Sequence, residues 1–123
     1  MLPAIHRLSS RKAISRVYQR GTFGRGGGLL TIKATPQAKT AAGLTPPTRA
    51  VVVVSKKVDK RAVVRNRLRR QVAESFRHLV ETAGPGYDIV ITIQVDFRTA
   101  EPVAVRNALT QALQRSGVWQ SNS

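Results

Sequence analysis

Two apolar runs, RAVVVVS at 49–55 and YDIVITIQV at 87–95, bracket a segment in which Val64, Leu68, Val72, Phe76 and Leu79 recur at helical spacing. The β-branched runs predict strands, and the stripe predicts an amphipathic helix over about 62–82, closed by GPG at 84–86. A helix of that length between two strands is a crossover and not a hairpin, so the strands lie parallel in one sheet. One such unit fixes most of a small fold.

The remaining segments attach to this unit. Ser9 or Ser10 suits the N-cap of a short helix in which Ile14, Val17 and Tyr18 share a face, and Gly21 suits its end. FGRGGG at 23–28 has too many glycines for a regular element and predicts a turn or bulged strand beside something that approaches the backbone closely. The P-loop spacing and its Lys-Ser/Thr pair are absent there. LLTIKAT at 29–35 reads as a strand, and PQAKTAAGLTPPT at 36–48, without periodicity, as a flexible loop. EPVAVRNALTQALQRSG from 101 is a last helix, with Pro102 in its first turn and Gly117 beyond its end. The 123 residues hold one core. The expectation is a single domain over 1–119 with a tail at 120–123, in the order α-β-β-β-α-β-α, counting a short strand near 22–25.

Charge then narrows the function. The net charge of +15 is extreme for 13.4 kDa, and self-repulsion on that scale calls for a polyanionic partner. Of the 21 Lys and Arg, 18 lie in residues 1–80 against two acids, Asp59 and Glu74, whereas 81–123 hold three bases and four acids. The stretch KKVDKRAVVRNRLRR at 56–70 alone has eight bases. On the helix, Asn66, Arg67, Arg70 and Arg77 face outward, while Arg61, Arg65 and Arg69 fall on or beside the apolar stripe and need partners or must reach its edge. First turns that overhang the core resolve this and leave free N–H groups suited to phosphate. A solvated face is the ordinary reading of a basic run, but the balancing acids are missing. A nuclear localisation signal belongs in a flexible segment, and this run continues into a striped helix. Arg outnumbers Lys in it, which suits bidentate contacts with phosphates and bases.

Other classes are set aside. There is no cysteine, so disulfides and thiol chemistry are excluded. The longest apolar run, AVVVV at 50–54, is far short of the ~20 residues of a membrane span, so a soluble protein with no membrane partner is expected. The Arg- and Ser-rich start matches a mitochondrial transit peptide in composition, but the acid deficit continues well past it.

SKKVDKRAVVRNRLRR at 55–70 resembles the signature of the bacterial ribonuclease P protein subunit family: Ser-Lys-Lys, a short turn, Ala-Val, then Arg-Asn-Arg, an apolar residue and two bases. Ser55, Lys56, Lys57, Ala62, Val63, Arg65, Asn66, Arg67, Leu68, Arg69 and Arg70 fit in register. LPAIHRLSSRKAISRVYQRGT resembles the family's opening and GYDIVITIQ its strand after the long helix, so the likeness spans about residues 2–116. It implies an α/β fold of the α+β two-layer sandwich kind, with a four-stranded mixed sheet and a left-handed βαβ crossover. The general rule gives right-handed crossovers in ~98% of cases.

The resemblance also implies roles. Lys56, Lys57, Arg61, Arg65, Asn66, Arg67, Arg69 and Arg70 are expected to bind a large catalytic RNA. Arg11, Lys12, Arg16, Tyr18, Leu30, Ile32, Val53 and Ser55 are expected to form a cleft between the first helix and the sheet for the 5′ leader of precursor tRNA. No protein partner is required, Mg²⁺ serves the holoenzyme and is bound mainly by RNA, and the location is cytoplasmic. The family often has aromatics at the positions matching Ile14 and Ile32, which leaves Tyr18 and Phe23 as the aromatics near the cleft. Tyr18 also fits a core contact with its hydroxyl at the edge.

Nothing in the sequence forms a protein active site. A metal-dependent nuclease needs clustered carboxylates, and a metal-free one an acid–base pair. His6 and His78 lie far apart in sequence, and Asp88 and Asp96, placed on one strand, would be ~26 Å apart at ~3.3 Å per residue, each more simply a surface group. Endoribonuclease chemistry is thus expected of the RNA. A small ribosomal or RNA-chaperone protein would share the charge and layout without needing Arg-Asn-Arg after Ser-Lys-Lys, and a protein-only nuclease lacks its carboxylates.

Overall fold

The computed structural model describes residues 2, 4–39, 41–83 and 85–118, so the expected tail at 120–123 and the domain's end at 119 lie outside the described residues. A 3₁₀ turn at Ala4–His6 leads to α1 (Arg11–Arg20), β1 (Thr22–Gly26), β2 (Leu30–Pro36), β3 (Arg49–Val54), α2 (Ala62–Ala83), β4 (Tyr87–Ile93) and α3 (Pro102–Arg115). This is the expected order, with the 3₁₀ turn added.

Local chemistry explains the boundaries. Ser10 Oγ accepts from the Ala13 N–H at 3.3 Å to start α1, and the Gly21 N–H donates to the Val17 carbonyl at 2.7 Å to end it. Between β1 and β2, the Leu29 N–H donates to the Gly26 carbonyl at 3.0 Å, and both central turn residues, Gly27 and Gly28, have positive φ (54° and 74°). That is the requirement of a type I′ hairpin turn, which L side chains meet poorly. The other glycines of this stretch serve a different need. A Cβ at Gly24 or Gly26 would strike the carbonyl oxygens of Ala112 or Ala108, so α3 lies against bare strand backbone. The close approach expected beside FGRGGG is therefore that of α3.

The sheet order is β1-β2-β4-β3, with β1–β2 and β2–β4 antiparallel and β3–β4 parallel, as the crossover requires. Side-chain alternation assigns its two faces. Leu30, Ile32, Ala34, Ile89, Ile91 and Ile93 join Leu68, Val72, Phe76, Leu109 and Leu113 in the main core beneath α2 and α3. Each of the buried Leu, Ile, Val and Phe side chains contributes ~1.5–3 kcal/mol relative to exposure. The opposite face carries a smaller cluster of Leu8, Ala13, Val17 and Val90, with Ile14, Val51 and Val53 against it. The two-layer expectation is therefore extended by α1, a partial third layer over β2 and β4.

The N-terminal arm closes the outer edge of β3: Arg7 bridges Ala50, and the Leu8 N–H donates to the Ala50 carbonyl at 2.9 Å. The segment read as a loop over 36–48 is shorter, because Pro36 still pairs with Tyr87. Gln37 Nε2 donates to the Pro47 and Tyr87 carbonyls at 2.8 and 3.0 Å, and Thr48 is buried, so both ends of the loop are held.

Candidate nucleic-acid interface

The chain reaches α2 through a turn in which the Val58 N–H donates to the Ser55 carbonyl at 3.1 Å, leaving Lys56 and Lys57 exposed. Asp59 then organises the first turn. Its Oδ1 accepts from the Arg61 backbone N–H at 2.8 Å and from Arg61 Nε at 3.1 Å, and its Oδ2 from Nη2 at 3.0 Å. The Arg61 side chain first, and its backbone N–H second, hold the Asp59 carboxyl down at about 2, well below the usual range. Arg65 Nη1 donates to the carbonyls of Asp59 and Lys60 at 3.1 and 2.7 Å, and Arg69 Nη1 to Asn66 Oδ1 at 2.6 Å. These are the partners that the three stripe-side arginines needed. The overhang is present as well: Ala62 is exposed and Val63 is 70% exposed, whereas Val64 is buried.

The basic set therefore divides. Arg61, Arg65 and Arg69 hold the start of the helix, while Lys56, Lys57, Arg67 and Arg70 have no intramolecular partner among the described residues and are exposed. Arg67 and Arg70 line a groove between α2 and α3 together with Arg106, a residue that sequence reading passed over because its element carries little charge.

The face under α1 differs from expectation. Leu30 and Ile32 do not line a cleft: both are 0% exposed in the main core, on the side away from α1. Alternation places Thr31, Lys33 and Thr35 of β2 on the α1 side, opposite Thr92, Val90 and Asp88 of β4. Val53, opposite Thr92, is on that side as expected, and Phe23, opposite Lys33, joins it. Tyr18 is 47% exposed and Phe23 51%, so the core reading of Tyr18 does not hold. Lys33 Nζ donates to the Tyr18 carbonyl at 3.2 Å, tying α1 to the sheet. Arg11, Lys12 and Arg16 line one groove of about 720 Å³ with Arg20, Thr35 and Gln19; Tyr18, Val53 and Ser55 lie outside it. The signal that finds Lys33 and Thr35 is the polar half of the alternation in LTIKAT.

Three of the carboxylates are engaged away from this face or at its edge. Asp88, expected at the surface, is 1% exposed and takes both Arg49 Nε and Nη2 at 2.9 Å. Asp96 pairs with Arg98 at 2.8 Å and Glu74 with Arg77 at 2.6 Å, and each arginine holds its partner's carboxyl below the usual range. Asp96 follows β4 and is not on the strand. Among the described residues no three His, Asp or Glu side chains come together as metal ligands, and no helix is long and apolar enough to cross a membrane.

The profile of the family described as Ribonuclease P matches residues 2–117. The Ribonuclease P protein component of a Synechococcus species is 36% identical over 98% of this chain and 89% of its own length. That of Nostoc punctiforme is 32% identical over 99% of each. The RNase P protein of Thermotoga maritima, 24% identical, superposes over 89% of this chain and 96% of its own with a TM-score of 0.72, a likeness of fold. Kinship over nearly the whole length, carried by a chain whose Ser55–Arg70 stretch forms a basic helix start, has one conclusion: this protein belongs to the Ribonuclease P family of protein components.

Proposed function

We propose that this chain is the protein subunit of a ribonuclease P ribonucleoprotein, the endoribonuclease that removes the 5′ leader of precursor tRNA. The outer side of α2 holds the catalytic RNA, and the α1 side of the sheet holds the leader. The observation that carries this reading is the division of the basic stretch, in which Asp59, Arg61 and Arg65 fix the helix start while Lys56, Lys57, Arg67 and Arg70 stay free for phosphates. Names borne by the Synechococcus and Nostoc relatives support it.

The protein contributes binding and orientation, and the RNA breaks the bond. When bound, Mg²⁺ would supply Lewis-acid chemistry at the phosphate, and its ligands would come from the RNA, since Asp59, Glu74, Asp88 and Asp96 of this chain are each paired with an arginine. We place the complex in the cytoplasm.

Leader recognition falls to Tyr18, Phe23, Lys33 and Val53, beside the basic groove of Arg11, Lys12 and Arg16. Exposed aromatics stack on bases, a contact worth ~1–3 kcal/mol per base.

Purified protein alone should leave precursor tRNA intact, and addition of the cognate catalytic RNA with Mg²⁺ should give a single cut at the mature 5′ end. Cleavage there by rigorously RNA-free protein would falsify the division of labour. In the reconstituted complex, Tyr18→Ala should weaken precursor tRNA with a long leader by ~1–3 kcal/mol while leaving mature tRNA unchanged. Equal loss for both RNAs counts against the leader site.

A further inference from the structure

The groove between α2 and α3 has a volume of about 520 Å³ and is built unlike the rest of the basic surface. Val105 and Pro102 give it an apolar floor, and Arg67 and Arg70 from one helix face it with Arg106 from the other. Its one carboxylate, Glu74, is bonded to Arg77 at 2.6 Å and lies 3.4 Å from His78 Nε2, which leaves the three arginines unbalanced. Gln71 lines the same groove. Its Nε2 donates to the Arg98 carbonyl at 3.2 Å, but its Oε1 is buried with no donor. A buried acceptor without a partner is uncommon and asks for one. A full exchange of the amide ends would set Oε1 against the Arg98 carbonyl, but the terminal torsion is broad, and a partial turn that gives up the long Arg98 contact moves Oε1 out of its buried position toward the groove that Gln71 lines.

A flat apolar body, a hydrogen-bond donor on its edge and an attached negative charge satisfy this set together. An unpaired nucleotide has all three, and RNA is read by proteins mostly at such splayed nucleotides. We propose that the α2–α3 groove takes one unpaired nucleotide of a structured RNA, with its phosphate held by Arg67, Arg70 and Arg106 and the exocyclic amine of its base donating to Gln71. The groove continues the outer side of α2, so the site rests on the reading of that side as the catalytic-RNA surface and adds a base-specific contact to it.

The test uses a short RNA hairpin in three forms: with a single bulged adenosine, with a bulged purine riboside that lacks the amine, and without a bulge. Fluorescence anisotropy with the full-length protein should rank adenosine above purine riboside by about fivefold to tenfold, the effect of one hydrogen bond. Gln71→Leu should abolish that difference. Arg106→Ala, at an exposed position that the fold does not need, should weaken the bulged hairpins by a larger factor than the unbulged one, whose loss is only that of one non-specific phosphate contact. Equal affinity of the wild-type protein for all three hairpins overturns the proposal. No catalytic RNA enters this measurement, so a failed reconstitution of precursor tRNA cleavage with the adenosine preference intact would remove the functional reading and keep the groove.

Discussion

Asn66 sits inside α2, four residues past Ala62, so its amide caps nothing. Its Oδ1 accepts from Arg69 at 2.6 Å, which leaves the amide nitrogen as an outward donor between two arginines. Alanine is the better helix former by up to ~0.7 kcal/mol, which offsets the loss of an exposed contact of similar size. Asn66→Ala should therefore leave the melting temperature nearly unchanged. If the amide reads a base edge or a ribose hydroxyl, the same change weakens catalytic-RNA binding by ~1–3 kcal/mol without altering its salt dependence. Unchanged affinity would remove Asn66 from recognition. At this scale the sequence showed the need and not the answer. Helical spacing placed Arg61, Arg65 and Arg69 where guanidiniums require partners, but the partners are Asp59, two backbone carbonyls and Asn66. All of those but Asn66 belong to an aperiodic turn, whose path no spacing rule gives.

At the scale of elements, periodicity located the three α-helices and the strands β2, β3 and β4, glycine content left β1 as a turn or bulged strand, and the difficulty was phase. In LTIKATP the apolar residues Leu30, Ile32 and Ala34 were bound to share a face, and the resemblance assigned that face to the cleft. The sheet is covered on both sides, and the larger cover, α2 with α3, claims the apolar set. The polar set Thr31, Lys33 and Thr35 is left to the α1 side, which suits the leader-binding role proposed for that face. Asp88 was misplaced for a related reason, since a carboxylate in a strand looks like surface until the Arg49 opposite it is known. The join between β3 and α2 depends on Asp59, and here titration gives a handle. Its folded pKa, about 2, lies below the ~3.9 of an unfolded Asp, so the interaction is fully present above that value and is lost as pH falls through about 2. Asp59→Asn should thus melt below the wild-type protein near about pH 6, with the gap closing toward about pH 2.5. A gap that stays constant over that range would show that the charge on Asp59 does not hold the join.

For the molecule as a whole, the fold sets two of its basic surfaces, one along the start of α2 and one along α1, on opposite sides of the sheet. On the proposed function, the catalytic RNA and the leader would then draw on different cations. Not every cation contributes equally to such binding. Each phosphate contact releases condensed counterions, so affinity falls steeply with salt in proportion to the cations that were free beforehand. Arg67 is free, whereas Arg61 is already neutralised by Asp59 at 3.0 Å. Arg67→Ala should weaken catalytic-RNA binding and make the slope of log affinity against log salt shallower by about one unit. Arg61→Ala should leave that slope unchanged, and any weakening it causes should come with a lower melting temperature, because Arg61 acts through the helix start. Binding measured across a salt series separates the two. Equal slope changes for both variants would mean that Asp59 releases Arg61 to the RNA, and that the division between structural and binding arginines dissolves in the complex.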